Sequence, residues 1–206
     1  MRTQIFTSYI PLLALLCSTS VIAQNATLTL GPESTLWIDG TSNKSDWTVT
    51  ATDVAGALEL DETGIPRQAT VTVAADKIES NKSKIMDRLM YRALKSDAHP
   101  FITYTLKAAR TAGEGPDSLS TEGEVRVAGI TKGAVMDVEW QMLDDGAVRV
   151  HGTHPMKMTD HGMKPPTAMF GALHTANEVV VHFDVVFVGT ADNSDLEQTS
   201  AAAPGR

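Results

Sequence analysis

The chain reads as an all-β protein: an eight-stranded antiparallel barrel carrying one amphipathic helix, at about residues 83–95. Three observations lead there. Residues 47–52, 134–143 and 178–188 alternate apolar and polar side chains with the period of two that a half-buried strand requires. Turn-rich stretches separate such segments, and Asp144-Asp145-Gly146 is a strong hairpin signal. Only one long stretch has helical spacing, so there is no strand-helix alternation of the kind that builds a parallel sheet. About eight short strands joined by hairpins close most economically into a barrel, which removes sheet edges and leaves room for one small ligand. A β-sandwich is the competing architecture.

At the N-terminus, Arg2 precedes an apolar run over residues 10–17 broken only by Pro11, and Val21-Ile22-Ala23 offers a cleavage site after Ala23. Residues 1–23 are therefore expected to be a secretory signal peptide, too short in its apolar run to span a bilayer. Lipid attachment at Cys17 is disfavoured by the bulk of Leu16. Cleavage removes the single cysteine of the chain. Export without disulfides fits the periplasm or secretion from a bacterium. The domain proper is expected over residues 24–189. Its start, 24–33, is polar. Residues 35–39 read as a strand, 40–46 as a turn, and 47–52 as a strand with Trp47, Val49 and Ala51 on one face. Residues 54–60 continue as a strand in which Gly56 marks a bulge or bend, and 68–75 follow after a loop.

In the helix, Ile85, Met86, Leu89, Met90, Ala93 and Leu94 make one apolar stripe, with Ser80, Asn81 or Ser83 as N-terminal caps. His99-Pro100 ends it, because the residue before proline is pushed out of the α region. Residues 101–106 are a strand, 110–118 a long connection, 119–128 a strand, 129–133 a tight turn, 134–143 and 147–152 a hairpin. Residues 153–177 read as irregular, with a helical turn at 167–173. Residues 178–188 give the longest strand signal, and the tail 190–206 reads as disordered.

The composition, 206 residues with 42% hydrophobic and 20% charged, suits one globular domain with a sizeable core. The net charge of −8 and the lack of a basic cluster exclude a nucleic-acid partner. His151, His154, Met156, Met158, His161, Met163, Met169 and His174 form a His/Met-rich region whose imidazoles and thioethers suit copper. The competing reading is Met filling an irregular interior, with His on loops. Asp97 with His99, and Asp160 with His161, pair an acid with an imidazole, but no nucleophile motif, phosphate loop or zinc motif accompanies them. Val71, Val73, Phe101, Thr103, Val125, Val127, Met136, Val138, Trp140, Val181, Phe183, Val185 and Phe187 form the inward set, and alternation alone does not say whether they fill a core or line a cavity. Sequons begin at Asn25, Asn43 and Asn81 and are read as chance.

From residue 34 to 188 the chain resembles the YceI-like family of bacterial envelope proteins, also called polyisoprenoid-binding proteins. The resemblance is carried by Gly40-Thr41-Ser42-Asn43 with Asp46-Trp47, by Met86-Asp87-Arg88-Leu89-Met90, and by Leu94 through Tyr104 with its Pro100-Phe101-Ile102 junction. Val127-Ala128-Gly129-Ile130-Thr131-Lys132 and Met158-Thr159-Asp160-His161-Gly162 complete it. Tyr104 stands where the family usually has Phe, Ser45 where relatives often carry His, and 151–170 is richer in His and Met than the family pattern. The resemblance implies a lipocalin-like barrel with an apolar tunnel for an isoprenoid chain, such as a quinone tail or polyprenyl lipid, in the periplasm. It carries no catalytic motif, and a homodimer is compatible with it. The expectation is thus a binding or carrier protein, not an enzyme, with no cofactor beyond a bound isoprenoid or quinone and no stable membrane span. Its ligand contacts would be Arg88, Asp97, His99, Phe101, Thr103, Tyr104, Met136, Trp140 and Phe183, and the loop 153–177 would act as a lid. The alternative is a periplasmic copper-binding protein using His151, His154, Met156, Met158, His161 and Met163.

Overall fold

Alternating sequence becomes strand almost throughout the computed structural model, which describes residues 27–80, 84–113 and 117–189. In chain order the elements are β1 (Thr27–Leu30), β2 (Thr35–Ser42), β3 (Trp47–Ala51), β4 (Val54–Leu60), β5 (Pro66–Ala74), β6 (Ile78–Ser80) and α1 (Lys84–Leu94). There follow β7 (Phe101–Thr111), β8 (Ser118–Val127), β9 (Ile130–Met142), β10 (Val148–Lys157), β11 (Thr167–Ala168) and β12 (Leu173–Gly189).

Eight of these strands close an antiparallel barrel in the order β1-β4-β5-β7-β8-β9-β10-β12. The seam is β12 returning to β1, through Leu28↔Gly189, Thr29↔Val188 and Leu30↔Phe187. β12 is long enough to serve two neighbours on that side, because its first half pairs with β2. β3 then pairs with β2, and β6 with β3. Since β1 leads into β2, β3 into β4 and β5 into β6, three walls of the barrel are bent strands. Their β2, β3 and β6 parts rise above the closed ring. No pairing joins β6 to β7 among the described residues. The helix α1 packs against β6 and the 3-10 turn Ala75–Lys77, at the gap this leaves.

The helix forms where the stripe predicts it. Asp87 accepts hydrogen bonds from Ser80 N (2.9 Å) and Ser80 Oγ (2.7 Å), tying its first turn to β6. Ser80 is thus a partner from the neighbouring strand; Asn81 and Ser83 lie outside the described residues. The helix ends at Lys95, which turns left-handed (φ 55°), and His99 N donates to Lys95 O (2.9 Å) before Pro100. Ala75 N donates to Pro100 O (2.8 Å), so the chain re-enters the wall beside the end of β5.

Several strand boundaries differ from those expected. The polar start 24–33 contains β1, the strand that closes the barrel; four alternating residues are too short a signal to read. The expected five-residue turn at 129–133 shrinks to Ala128-Gly129, both at positive φ, and β9 begins at Ile130. Residues 153–157, expected to be irregular, continue β10 through Pro155. Past Gly152 this strand pairs with β12 alone, so a residue without an N–H is tolerated there. β12 starts at Leu173, five residues before the expected 178. The helical turn expected at 167–173 is a tight hairpin: β11 pairs with the start of β12 around a 3-10 turn, Met169–Gly171. The signal segment 1–23 and the tail 190–206 lie outside the described residues.

One end of the barrel is packed shut. Leu28, Leu58, Val148, Val185 and Phe187 form a buried cluster there, with Val148 wholly inaccessible. At the other end lie α1, the β2–β3 and β8–β9 turns, and the β11–β12 hairpin. The outer face carries cross-strand ion pairs, Lys107–Glu124 (3.2 Å), Arg110–Glu122 (3.0 Å) and Arg149–Asp184. Polar outside and apolar inside fixes the register, since a one-residue slip would reverse both faces.

Candidate ligand-binding site

Between the packed end and the helix runs an apolar cavity of about 460 Å³. Its depth is set by Leu58, Val185 and Phe187, its middle by Met136, Val138, Trp140 and Phe183, and its upper part by Ile38, Trp47, Ile102, Val127 and Val179. Met86, Leu89, Met90, Ala93 and Leu94 complete the wall from α1. No residue of the helix is fully buried, because its apolar stripe faces a cavity and not a filled core. The rim is formed by Ser42, Lys44 and Ser45 of the β2–β3 turn with Pro166, Leu173 and Thr175 of the β11–β12 hairpin. Asn43 joins the two: its Nδ2 donates to Ala172 O (2.9 Å), and its Oδ1 accepts from His174 N (3.1 Å).

Missing Cβ atoms shape the interior. Gly152 stands directly opposite Phe183, and a Cβ on it would lie 2.8 Å from the Phe183 ring. A Cβ on Gly123 would lie 2.5 Å from the Tyr104 ring, and one on Gly40 would collide with Trp47. These rings lie against bare backbone on the neighbouring strand and leave the centre of the barrel open.

Two polar groups intrude on this surface. Tyr104 Oη is the one buried side-chain polar atom without a hydrogen-bond partner among the described residues. Burial raises its pKa above the usual 10.0, and the Thr121 hydroxyl nearby offsets part of that. The Thr121 hydroxyl directs its own hydrogen to Met136 O (3.0 Å) and not to the phenol. His154, half-buried on the cavity wall, has its pKa lowered by burial and then by His161. His161 is buried with Nδ1 3.0 Å from Ile130 O. A carbonyl only accepts, so Nδ1 carries the hydrogen.

Of the expected contacts, Thr103, Tyr104, Met136, Trp140 and Phe183 border the cavity. Arg88, Asp97, His99 and Phe101 do not. Arg88 and Asp97 are exposed, and His99 packs against Gly129. Phe101 is 57% exposed, because β7 turns its other face inward: Ile102, Tyr104 and Leu106 are the inward series. The hinge at Pro100, invisible to a period-two count, sets that phase. The helix, expected to flank the barrel mouth or pack on its wall, does cover the cavity, though its stripe was not named among the ligand contacts; the rim from Ser42 to Ser45 carried no signal in the sequence.

In the His/Met-rich region, His154, Met156, Met158 and Met163 line the cavity, His161 lies behind them and His151 faces outward, paired with Asp184. Among the described residues, no three of His, Cys, Asp and Glu converge as a metal site.

A closed antiparallel barrel around an apolar cavity defines the class: a lipocalin-like barrel with room for a small apolar molecule. Within it, residues 31–187 match the YceI-like domain model, and the chain belongs to that family. Solved structures of similar fold include a polyisoprenoid binding domain from Saccharophagus degradans implicated in plant cell wall breakdown. It is 12% identical, with a TM-score of 0.65 over 81% of this chain and 100% of that one. Burkholderia cenocepacia BcnA gives 14% identity and a TM-score of 0.63 over 74% of this chain and 95% of that one. A Campylobacter jejuni YCEI protein gives 15% and 0.57, over 70% and 85%. No curated protein sequence matches the chain. At these identities the likeness shows the fold alone.

Proposed function

We propose that the protein binds an isoprenoid lipid or the isoprenoid tail of a quinone inside the barrel and carries it in the periplasm, without catalysing a reaction on it. The observation that carries this reading is the cavity itself, closed at one end, apolar along its length and roofed by the apolar stripe of α1. An isoprenoid chain is linear with short methyl branches, flexible and insoluble, and each buried CH₂ equivalent contributes about 0.8 kcal/mol. Met side chains in the upper wall adapt to its methyl branches. The polyisoprenoid binding of the Saccharophagus degradans domain, on the same fold, supports the same assignment. Tyr104 Oη would donate to an oxygen of the cargo, an interaction that satisfies a buried donor now without a partner.

The test is organic extraction of freshly purified protein with mass spectrometry of the extract, followed by titration of the delipidated protein with a prenol. A co-purifying prenyl lipid and saturable one-to-one binding are expected. A delipidated, folded protein that takes up no prenol overturns the reading. If it instead takes up Cu(I) in fixed stoichiometry through His154, Met156, Met158 and Met163, the copper alternative replaces it.

A further inference from the structure

The barrel's exposed apolar side chains are not spread evenly over it. Seven large ones are exposed among the described residues, and five of them lie at the cavity-mouth end: Ile85, Phe101, Ile130, Met169 and Phe170. The β11–β12 hairpin presents the last two at its tip, with Phe170 fully exposed and Met169 70% exposed. Both sit in the left-handed region, φ 53° and 56°, which costs a non-glycine residue free energy. A polar or glycine pair would make this turn more cheaply and more soluble. The hairpin stem, through Pro166 and Leu173, is itself cavity rim, and Asn43 clamps it to the turn on the opposite side. Between Asp160 and Glu178 the chain has no acidic residue and has Lys164, in a protein of net charge −8.

We propose that this end of the barrel docks on a lipid bilayer, with Met169-Phe170 as an apolar wedge inserted at the headgroup boundary, so that the cavity opens onto the membrane. The cargo half of this statement rests on the isoprenoid reading above; the docking half does not. An apolar tip with no carboxylate in its own hairpin, and tied to the opposite turn through Asn43, fits a bilayer interface. It also spares a water-insoluble chain the passage through solvent.

The test uses the mature chain and vesicles of phosphatidylethanolamine and phosphatidylglycerol. Co-flotation measures docking, and transfer of a fluorescent prenol from the vesicles measures loading. Prenol delivered from cyclodextrin measures the cavity without a membrane. The double variant Met169→Ser/Phe170→Ser is expected to lower flotation and slow vesicle transfer by roughly tenfold or more, given two apolar side chains withdrawn from the interface. Its cyclodextrin loading and melting temperature should match the wild type. Met142→Ser, at the far end, should change none of these. Flotation of the double variant equal to wild type, or no flotation of the wild type, overturns docking. So does a concentration-dependent dimer lost in the double variant with no vesicle binding, which would make the tip a contact between copies. A wild type that floats but takes no prenol even from cyclodextrin leaves docking standing and removes the isoprenoid reading.

Discussion

Tyr104 shows how one side chain ties the barrel to its cargo. Its ring lies on the bare backbone of Gly123, and its hydroxyl is buried without a partner. Replacing it with Phe removes an unsatisfied donor, so Tyr104→Phe should leave the empty protein as stable or stabilise it by up to about 1 kcal/mol in a denaturant titration. The same change should weaken an oxygenated prenyl ligand by about fivefold, the equivalent of one lost hydrogen bond, and leave a hydrocarbon analogue unaffected. His154 should make the protein's stability sensitive to acid. Its folded pKa lies below the usual 6.5, so below that value the unfolded chain takes up a proton that the fold refuses. The stability it contributes is present above pH 6.5 and is lost as pH falls through the folded value. Melting temperatures measured across that window should fall on acidification, and less steeply in His154→Gln. A slope unchanged by the substitution would assign the acid sensitivity elsewhere.

At the scale of the element, the helix and the glycine-aromatic pairs decide how much space the barrel keeps. The sequence makes α1 legible to within a residue, because its stripe and the His99-Pro100 stop are local signals. What the stripe faces is not local, and the sequence allowed either a place at the barrel mouth or packing on its wall. In the structure it roofs a cavity, tied to β6 at Asp87 and Ser80. Asp87→Ala should cost about 1–2 kcal/mol, since it leaves a backbone donor without its charged acceptor, and should speed amide exchange in α1 before the strands. Gly152→Ala would push the Phe183 ring off the wall into the lumen. The expected cost is about 1–3 kcal/mol of stability, with reduced prenol capacity in the same protein. Full capacity with the extra methyl in place would show that the ring does not set the free space.

For the whole molecule, closure is the decisive feature. β1 supplies only four residues, yet it joins β4 to β12 and sends Leu28 into the packed end. Leu28 is 5% exposed, and Leu28→Ala should lower stability by about 2–5 kcal/mol, as for other core leucines. Removing residues 27–30 should do more than that. It would uncover the edges of β4 and β12, and the expected outcome is concentration-dependent aggregation, readable by light scattering. A truncated chain that stays monomeric and keeps its melting temperature would show that the seam is dispensable. The mouth end, with its exposed Phe170 and Met169, gives the barrel a polarity that its outer ion pairs do not.

By itself the sequence determined that this is an all-β protein with one helix, for which a barrel was the economical closure and a sandwich the competitor. Period-two alternation, turn residues and a single amphipathic stripe are encoded within a few residues of each other, and they require no knowledge of partners. The order and spacing of its segments also marked the family. Tertiary structure alone decided three things. It placed β1 at the seam, because four residues acquire meaning only through β4 and β12. It turned Ile102 and Tyr104 inward in place of Phe101, because the phase of β7 is set by the hinge at Pro100 and by pairing with β5. And it left the interior open, because a filled core and a lined cavity share one alternation. What separates them is rings lying against glycines on neighbouring strands, a contact that exists only once the barrel has closed.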